Sequence, residues 1–181
     1  MRYAILSDIH GNKRAWDVFL ADIADQSIDS VICLGDIIGY GPMPQAVLDG
    51  VRETCAGVVL GNHDAAVCGR LDTAIFNDHA RTVINWTRGK LDDFDINFLR
   101  EVPLAVEGGE DILFVHAEVI EPGRFDYVMD DDVAAANLKS CQHRLVFYGH
   151  THRPCVYRLD GEGVSNLEEG EIQLEAGRRY L

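Results

Sequence analysis

Two sheets in one α/β domain is the fold this chain predicts, on three observations. The first third alternates short apolar runs with amphipathic stretches. The second half carries several shorter apolar runs separated by paired glycines. No internal repeat, low-complexity tract or linker interrupts the 181 residues, a length that suits a single domain over residues 1–181 with an ordinary buried core.

Taken in order, residues 2–7 (RYAILS) form a buried-strand candidate. Asn12 can cap a helix in which Trp16, Phe19, Leu20 and Ile23 follow at helical spacing. Residues 30–34 (SVICL) are a second strand, followed by a Gly-rich turn, a helix over about 44–54, and a third strand at 57–60 (GVVL). Strand, helix, strand, helix, strand predicts right-handed parallel crossovers, hence a sheet covered on both faces. Phe76, Ala80, Val83, Ile84 and Thr87 then mark one helix, and Leu91, Phe94 and Phe98 a second that ends before Pro103. Shorter strands are expected at 104–107, 111–115, 144–148, 155–159 and 171–174. Hairpins near Gly108-Gly109 and Gly161-Glu162-Gly163 give this second sheet antiparallel pairs, and two stacked sheets in one domain is the economical arrangement. Asp130-Asp131-Asp132 before Val133 reads as a solvated helix N-terminus, where carboxylates suit the dipole, rather than as a calcium site.

Composition narrows the classes of function. The chain is 47% apolar, and its longest apolar runs fall far short of a membrane span. Met1-Arg2-Tyr3 leads straight into the first strand with no signal peptide, so a cytoplasmic location without membrane partners is expected. Five cysteines without a Cys-x-x-Cys pair predict free thiols rather than a disulfide framework or thiolate metal site. A net charge of −14 with no basic run argues against duplex nucleic acid as a partner. It does not exclude a small phosphate-containing substrate. Two bound divalent cations would leave the site at about +1 after two carboxylates and one hydroxide are counted.

The chemistry lies in five clusters: Asp8-Ile9-His10, Gly35-Asp36, Gly61-Asn62-His63-Asp64, His116, and Gly149-His150-Thr151-His152. Each follows a short apolar run. Parallel sheets bind ligands outside the carboxyl ends of their strands, so Asp8, Asp36 and Asn62 should converge there. Asp8-x-His10 lets a carboxylate and an imidazole approach one ion from a single tight turn. Glycines at 11, 35 and 61 leave room for the backbone to turn sharply. Alone, Asp-x-His or Gly-Asp is a common turn. Gly-Asn-His-Asp is more specific, and five of the seven histidines fall inside these clusters.

In this order the clusters resemble the calcineurin-like metallophosphoesterase superfamily, whose pattern is Asp-x-His, Gly-Asp, Gly-Asn-His-(Asp/Glu), a later His, and Gly-His-x-His. The resemblance spans residues 4 to about 159, and residues 35–42 (GDIIGYGP) are similar to a small bacterial and archaeal phosphodiesterase-like branch. It implies a four-layer α/β/β/α sandwich of two stacked mixed sheets flanked by helices. It also implies a site in which Asp8, His10 and His152 hold one metal, Asn62, His116 and His150 the other, and Asp36 bridges the two. Such ligation suits manganese foremost, with iron, zinc, cobalt or nickel as alternatives, and a bridging hydroxide that attacks phosphorus in line. The same resemblance makes His63 the leaving-group acid, with Asp64 orienting it and supporting its charged form. His79 and His143 lie outside every motif and are expected at the solvent or the core edge.

Departures from the pattern bear on substrate. Phosphoprotein phosphatases of the superfamily carry arginines where this chain has Tyr40 and Leu60. Without those guanidinium forks, bidentate grip on a terminal phosphate is lost, and a phosphodiester becomes the favoured substrate over a monoester. Asn12 and Tyr40 are candidate substrate contacts, or equally a helix cap and a packing group. Relatives of the branch continue past residues 177–181 into a further strand and loop. The resemblance therefore implies a last strand at an exposed sheet edge, through which a homo-oligomer would form. The alternative readings are a non-catalytic metal-binding scaffold of the same fold, and a phosphomonoesterase or protein phosphatase.

Overall fold

The structure is a computed structural model that describes residues 1–167 and 170–181. It divides into two compact units, Met1–Pro103 and Leu104–Leu181.

The first unit runs β1 (Tyr3–Leu6), α1 (Lys13–Ala24), β2 (Ser30–Cys33), α2 (Pro44–Thr54), β3 (Gly57–Val58), α3 (Asn62–Cys68), α4 (Asp78–Arg88) and α5 (Asp93–Glu101), with a 3₁₀ turn at Thr73–Ile75. The three strands pair in parallel in the order β1-β2-β3, as the strand–helix alternation predicts. Asn12 caps α1 by accepting the Ala15 N–H at 3.1 Å. Pro44 opens α2, where a missing N–H costs nothing. Trp16, Val47, Leu48, Val51, Ile84 and Leu99 meet Cys33, Ile37 and Ile38 in the core, each large side chain contributing about 1.5–3 kcal/mol by leaving water. Asp95, 1% exposed, is satisfied there by the Arg52 guanidinium at 2.8 Å, by Gln45 at 3.2 Å and by the Asp92 N–H at 3.2 Å. No sequence signal announces α3, because its seven residues are too few for an apolar period to show.

The second unit runs β4 (Ala105–Glu107), β5 (Ile112–Val115), α6 (Asp131–Ser140), β6 (Leu145–Phe147), β7 (Val156–Leu159), β8 (Val164–Leu167) and β9 (Arg179–Tyr180), with a 3₁₀ turn at Pro122–Arg124. Its sheet is mixed, in the order β4-β5-β6-β9-β7-β8. Both glycine hairpins form, β4 with β5 and β7 with β8, while β5–β6 and β6–β9 are parallel. Asp130 caps α6 by accepting the Val133 N–H at 2.9 Å, the solvated cap the acidic run predicts.

Two expectations are corrected here. Residues 171–174 are not a strand. The turn at Gly161–Gly163 returns the chain directly, so β8 takes one side of β7 and β9 takes the other. Ile172 and Leu174 instead line an apolar cavity of about 330 Å³ with Phe147, Tyr180 and Leu181, which accounts for their alternation. Nor does the last strand lie at an edge. It sits between β6 and β7, and β4 and β8 are the outer strands. All five cysteines are free. Among the described residues no helix is long and apolar enough to cross a membrane.

Candidate metal centre

In the first unit, the loops that leave β1, β2 and β3 are bonded to one another beyond the strands. Asp8 N–H donates to the Gly35 carbonyl at 3.0 Å, His10 N–H to Asp36 at 2.8 Å and Gly11 N–H to Ile37 at 2.8 Å. The parallel ladder is thus continued by two turns, and Asp8, His10 and Asp36 inherit its register. The β3 loop approaches still more closely. A Cβ on Gly61 would lie 2.1 Å from the Asp36 nitrogen and 2.2 Å from its Oδ1, so only glycine permits the approach.

His10 is buried, and its Nδ1 lies 3.2 Å from the Ile38 carbonyl. Donation of Nδ1–H to that oxygen leaves Nε2 as the lone pair, facing Asp36 Oδ2 at 3.6 Å. Two ligand atoms on one transition metal with bonds of about 2.1 Å stand roughly 3.0–3.4 Å apart, close to this spacing. Asp36 is 2% exposed. Burial, and then the neighbouring Asp8 carboxylate, push its pKa well above the usual carboxylate range, against a His63 N–H bond that lowers it. An anion so placed is stabilised by a cation. The donor set therefore fits a metal ion.

His63 and Asp64 stand in the first turn of α3. The His63 N–H donates to Asp36 Oδ1 at 2.9 Å, and ligand atoms of His10, Asp36 and His63 lie within 4.8 Å of one another, all three residues being buried. The His63 ring rests against Gly39, where an added Cβ would come within 2.8 Å of Nδ1. Asp64 has 0% exposure, and its carboxylate accepts the N–H groups of Ile37 at 3.2 Å, Ile38 at 3.1 Å and Gly61 at 3.2 Å. It thereby ties the Asp36 loop to the start of α3. Asn62, half-buried, is the first residue of that helix. Asn12 caps α1, and Leu60 is 1% exposed.

In the second unit, His116 follows β5 and is buried, with its carbonyl accepting the Gly149 N–H at 2.9 Å. That bond brings the His116 and His150 rings to 5.0 Å between centroids. His152, two residues further, is exposed. Here sequence reasoning missed two aromatic residues. Phe125 packs edge-on to His116 at 5.9 Å, and Tyr127 stacks on His150 at 4.1 Å with 24° between planes. Their loop has no strand or helix period to give them away.

Backbone conformation singles out the same positions. Among the described residues, the non-glycine residues at positive φ are Asp8, His10, Asp36, Tyr40, Phe125, His150 and His152, at 49–64°. Five are candidate ligands and Tyr40 is a candidate substrate contact. The left-handed region costs an ordinary side chain on the order of 1 kcal/mol, and such residues gather where geometry serves function.

The sequence model of the calcineurin-like phosphoesterase superfamily domain matches residues 1–179. An uncharacterized protein of Methanocaldococcus jannaschii is 34% identical over 182 residues, covering 98% of this chain and 72% of that protein. A crystal structure of a metallophosphoesterase from Sphaerobacter thermophilus is 34% identical, with a TM-score of 0.82 over 99% of this chain and 74% of that one. The crystal structure of a hypothetical protein from Pyrococcus horikoshii shares the fold, with a TM-score of 0.69, 19% identity, and coverage of 85% of this chain and 71% of its own. With donors of the right chemistry following the strands and a family match over nearly its whole length, the chain belongs to the calcineurin-like phosphoesterase superfamily.

Proposed function

We propose that this chain is a phosphoester hydrolase that works with two divalent or transition-metal ions, manganese foremost, and prefers diesters to monoesters. The observation that carries the reading is the donor set itself, of which Asp8, His10, Asp36, His150 and His152 are held at positive φ after apolar runs, where structure alone would favour glycine. In this reading Asp8, His10 and His152 hold one ion and Asn62, His116 and His150 the other, with Asp36 shared. Bound there, the ions supply a hydroxide nucleophile at neutral pH and neutralise charge on the phosphate oxygens.

The protein's own groups do the rest. The Ile38 carbonyl keeps His10 in the tautomer that presents Nε2. The His63 backbone N–H holds Asp36 Oδ1, leaving Oδ2 turned to His10. His63, edge-on to His10 at 4.9 Å between centroids, is set to hand a proton to the departing oxygen. Asp64 orients His63 and supports its charged form, and its carboxylate also ties the Asp36 loop to the start of α3. At the two positions where a phosphoprotein phosphatase would place arginines, Tyr40 has no charge and Leu60 is buried. A diester, with fewer anionic oxygens, needs fewer such donors. The partner in this reading is a small phosphoester in the cytoplasm.

The test strips the protein with chelator, reloads it with manganese, and compares bis-p-nitrophenyl phosphate with p-nitrophenyl phosphate. The diester should turn over faster. His63→Ala should lower kcat by about 10²–10⁴-fold while elemental analysis still finds two metals per chain. Two bound metals with no hydrolysis of either ester would replace the enzyme by a scaffold of the same fold.

A further inference from the structure

The segment Gly39-Tyr40-Gly41 carries a side chain that the metal site does not need. Tyr40 takes φ 49° between two glycines. Gly41 is pressed so closely against the His10 carbonyl that a Cβ would lie 2.3 Å from it, and its N–H donates to that oxygen at 2.7 Å. Gly39, at φ 100°, lies against the His63 ring. The loop is thus a saddle drawn down over His10 and His63, with Tyr40 raised at its crest. A tyrosine in the left-handed region is normally repaid by burial, yet this one is 47% exposed.

Other rings continue the surface. Tyr40 lies 4.6 Å from His63 and 4.9 Å from His10 between centroids. The His79 ring stacks against it, nearly parallel at 19° between planes with centroids 6.2 Å apart. Phe76 closes the inner side, edge-on to His63 at 5.3 Å. His79 is exposed but not loose. It lies in the first turn of α4, which Asn77 caps by accepting the Ala80 N–H at 2.9 Å. Tyr40 and His79 together present parallel, solvent-exposed aromatic faces, with Tyr40 seated against His63.

We infer that Tyr40 and His79 form a stacking platform for a planar aromatic group of the substrate, a nucleobase, beside the leaving-group acid. The inference rests on the proposed phosphoesterase reading and gives it a substrate class: phosphodiesters of nucleosides. Every base offers a π-face to such a platform whatever its hydrogen-bonding edge, so the preference is for a base rather than for one base. The platform is also the recognition that a strongly acidic chain, with a net charge of −14, can offer without arginine forks.

The test is equilibrium binding by calorimetry on the full manganese-loaded chain, with AMP and ribose 5-phosphate, which share the phosphoribose and differ at C1′, adenine in one and hydroxyl in the other. AMP should bind about tenfold tighter, the range that stacking of one base on an aromatic side chain supports. His79→Ala should narrow that ratio several-fold, Tyr40→Ala should abolish it, and Tyr40→Phe should keep it. Equal affinities in the unmodified protein, no measurable AMP binding, or a ratio that survives both alanine variants overturns the platform. Bis-p-nitrophenyl phosphate hydrolysis is followed in parallel. Hydrolysis without the base-dependent ratio leaves the phosphoesterase standing and removes the platform. The ratio without hydrolysis does the reverse.

Discussion

Both units hold candidate ligands at positive φ, Asp8, His10 and Asp36 in one and His150 and His152 in the other, but they support their histidines by different means. In the first, Asp8, His10 and Asp36 are held by backbone hydrogen bonds between neighbouring loops, by the Gly61 approach and by the Asp64 carboxylate. In the second, His116 and His150 share one backbone bond through Gly149, and the remaining support is aromatic, Phe125 against one ring and Tyr127 on the other. Backbone bonding fixes positions within a few tenths of an ångström and fails all at once when a glycine is filled. Ring packing tolerates change and fails by degrees. Strain is found in both units, so the left-handed conformation does not depend on which support is used.

Filling a glycine should break the contrast most sharply. Gly61→Ala places a methyl group 2.1 Å from the Asp36 nitrogen, and both groups are backbone or tied to it. The full chain should lose about 3 kcal/mol or more in urea unfolding, and metal binding in the first unit should go with it. Asp64→Ala should cost about as much. It leaves the Ile37, Ile38 and Gly61 N–H groups without their acceptor, at about 1–3 kcal/mol for a buried group so abandoned. Asp64→Asn, which keeps one acceptor oxygen, should recover part of it in the same unfolding experiment. The smallest effect is expected in the second unit. Tyr127 is 56% exposed, so Tyr127→Ala should move stability by less than about 1 kcal/mol. On the proposed ligand set it should still weaken manganese binding about tenfold by freeing the His150 ring. Tyr127→Phe should do neither. If Tyr127→Ala destabilises as much as Asp64→Ala, the two kinds of support are not different in kind.

How much of this was legible in the sequence follows from which forces wrote each part. Helix α2 shows plainly, since Pro44 marks its first residue and Val47, Leu48 and Val51 give it a core face. The β1-β2-β3 order follows from strand–helix alternation, and the candidate ligands of the first unit follow from lying in polar clusters directly after apolar strands. The second sheet was harder to read. Its C-terminal strand is two residues long, and a two-residue strand is chosen by its neighbours rather than by its own period. Residues 171–174 have the alternation of a strand, but its apolar members face a cavity instead of a ladder. Asp64 shows why a motif reveals identity before role. Its place beside His63 suggests a partner for that ring, and its oxygens also reach residues 26 and 27 positions away in sequence. Tyr127 and Phe125 left no trace because a stacking contact has no sequence spacing.

The positive φ values carry a consequence for how this protein would decay. At Asp8, His10, Asp36, His150 and His152 the residue that suits the backbone best is glycine, so each of these side chains is kept against a standing conformational bias. On the proposed function, a lineage relieved of catalysis would gain stability by the very substitutions that disarm it, and glycine would spread through these positions. Inactive descendants of such a fold should therefore be sturdier than their active parents, and recognisable by glycines where the donors once stood.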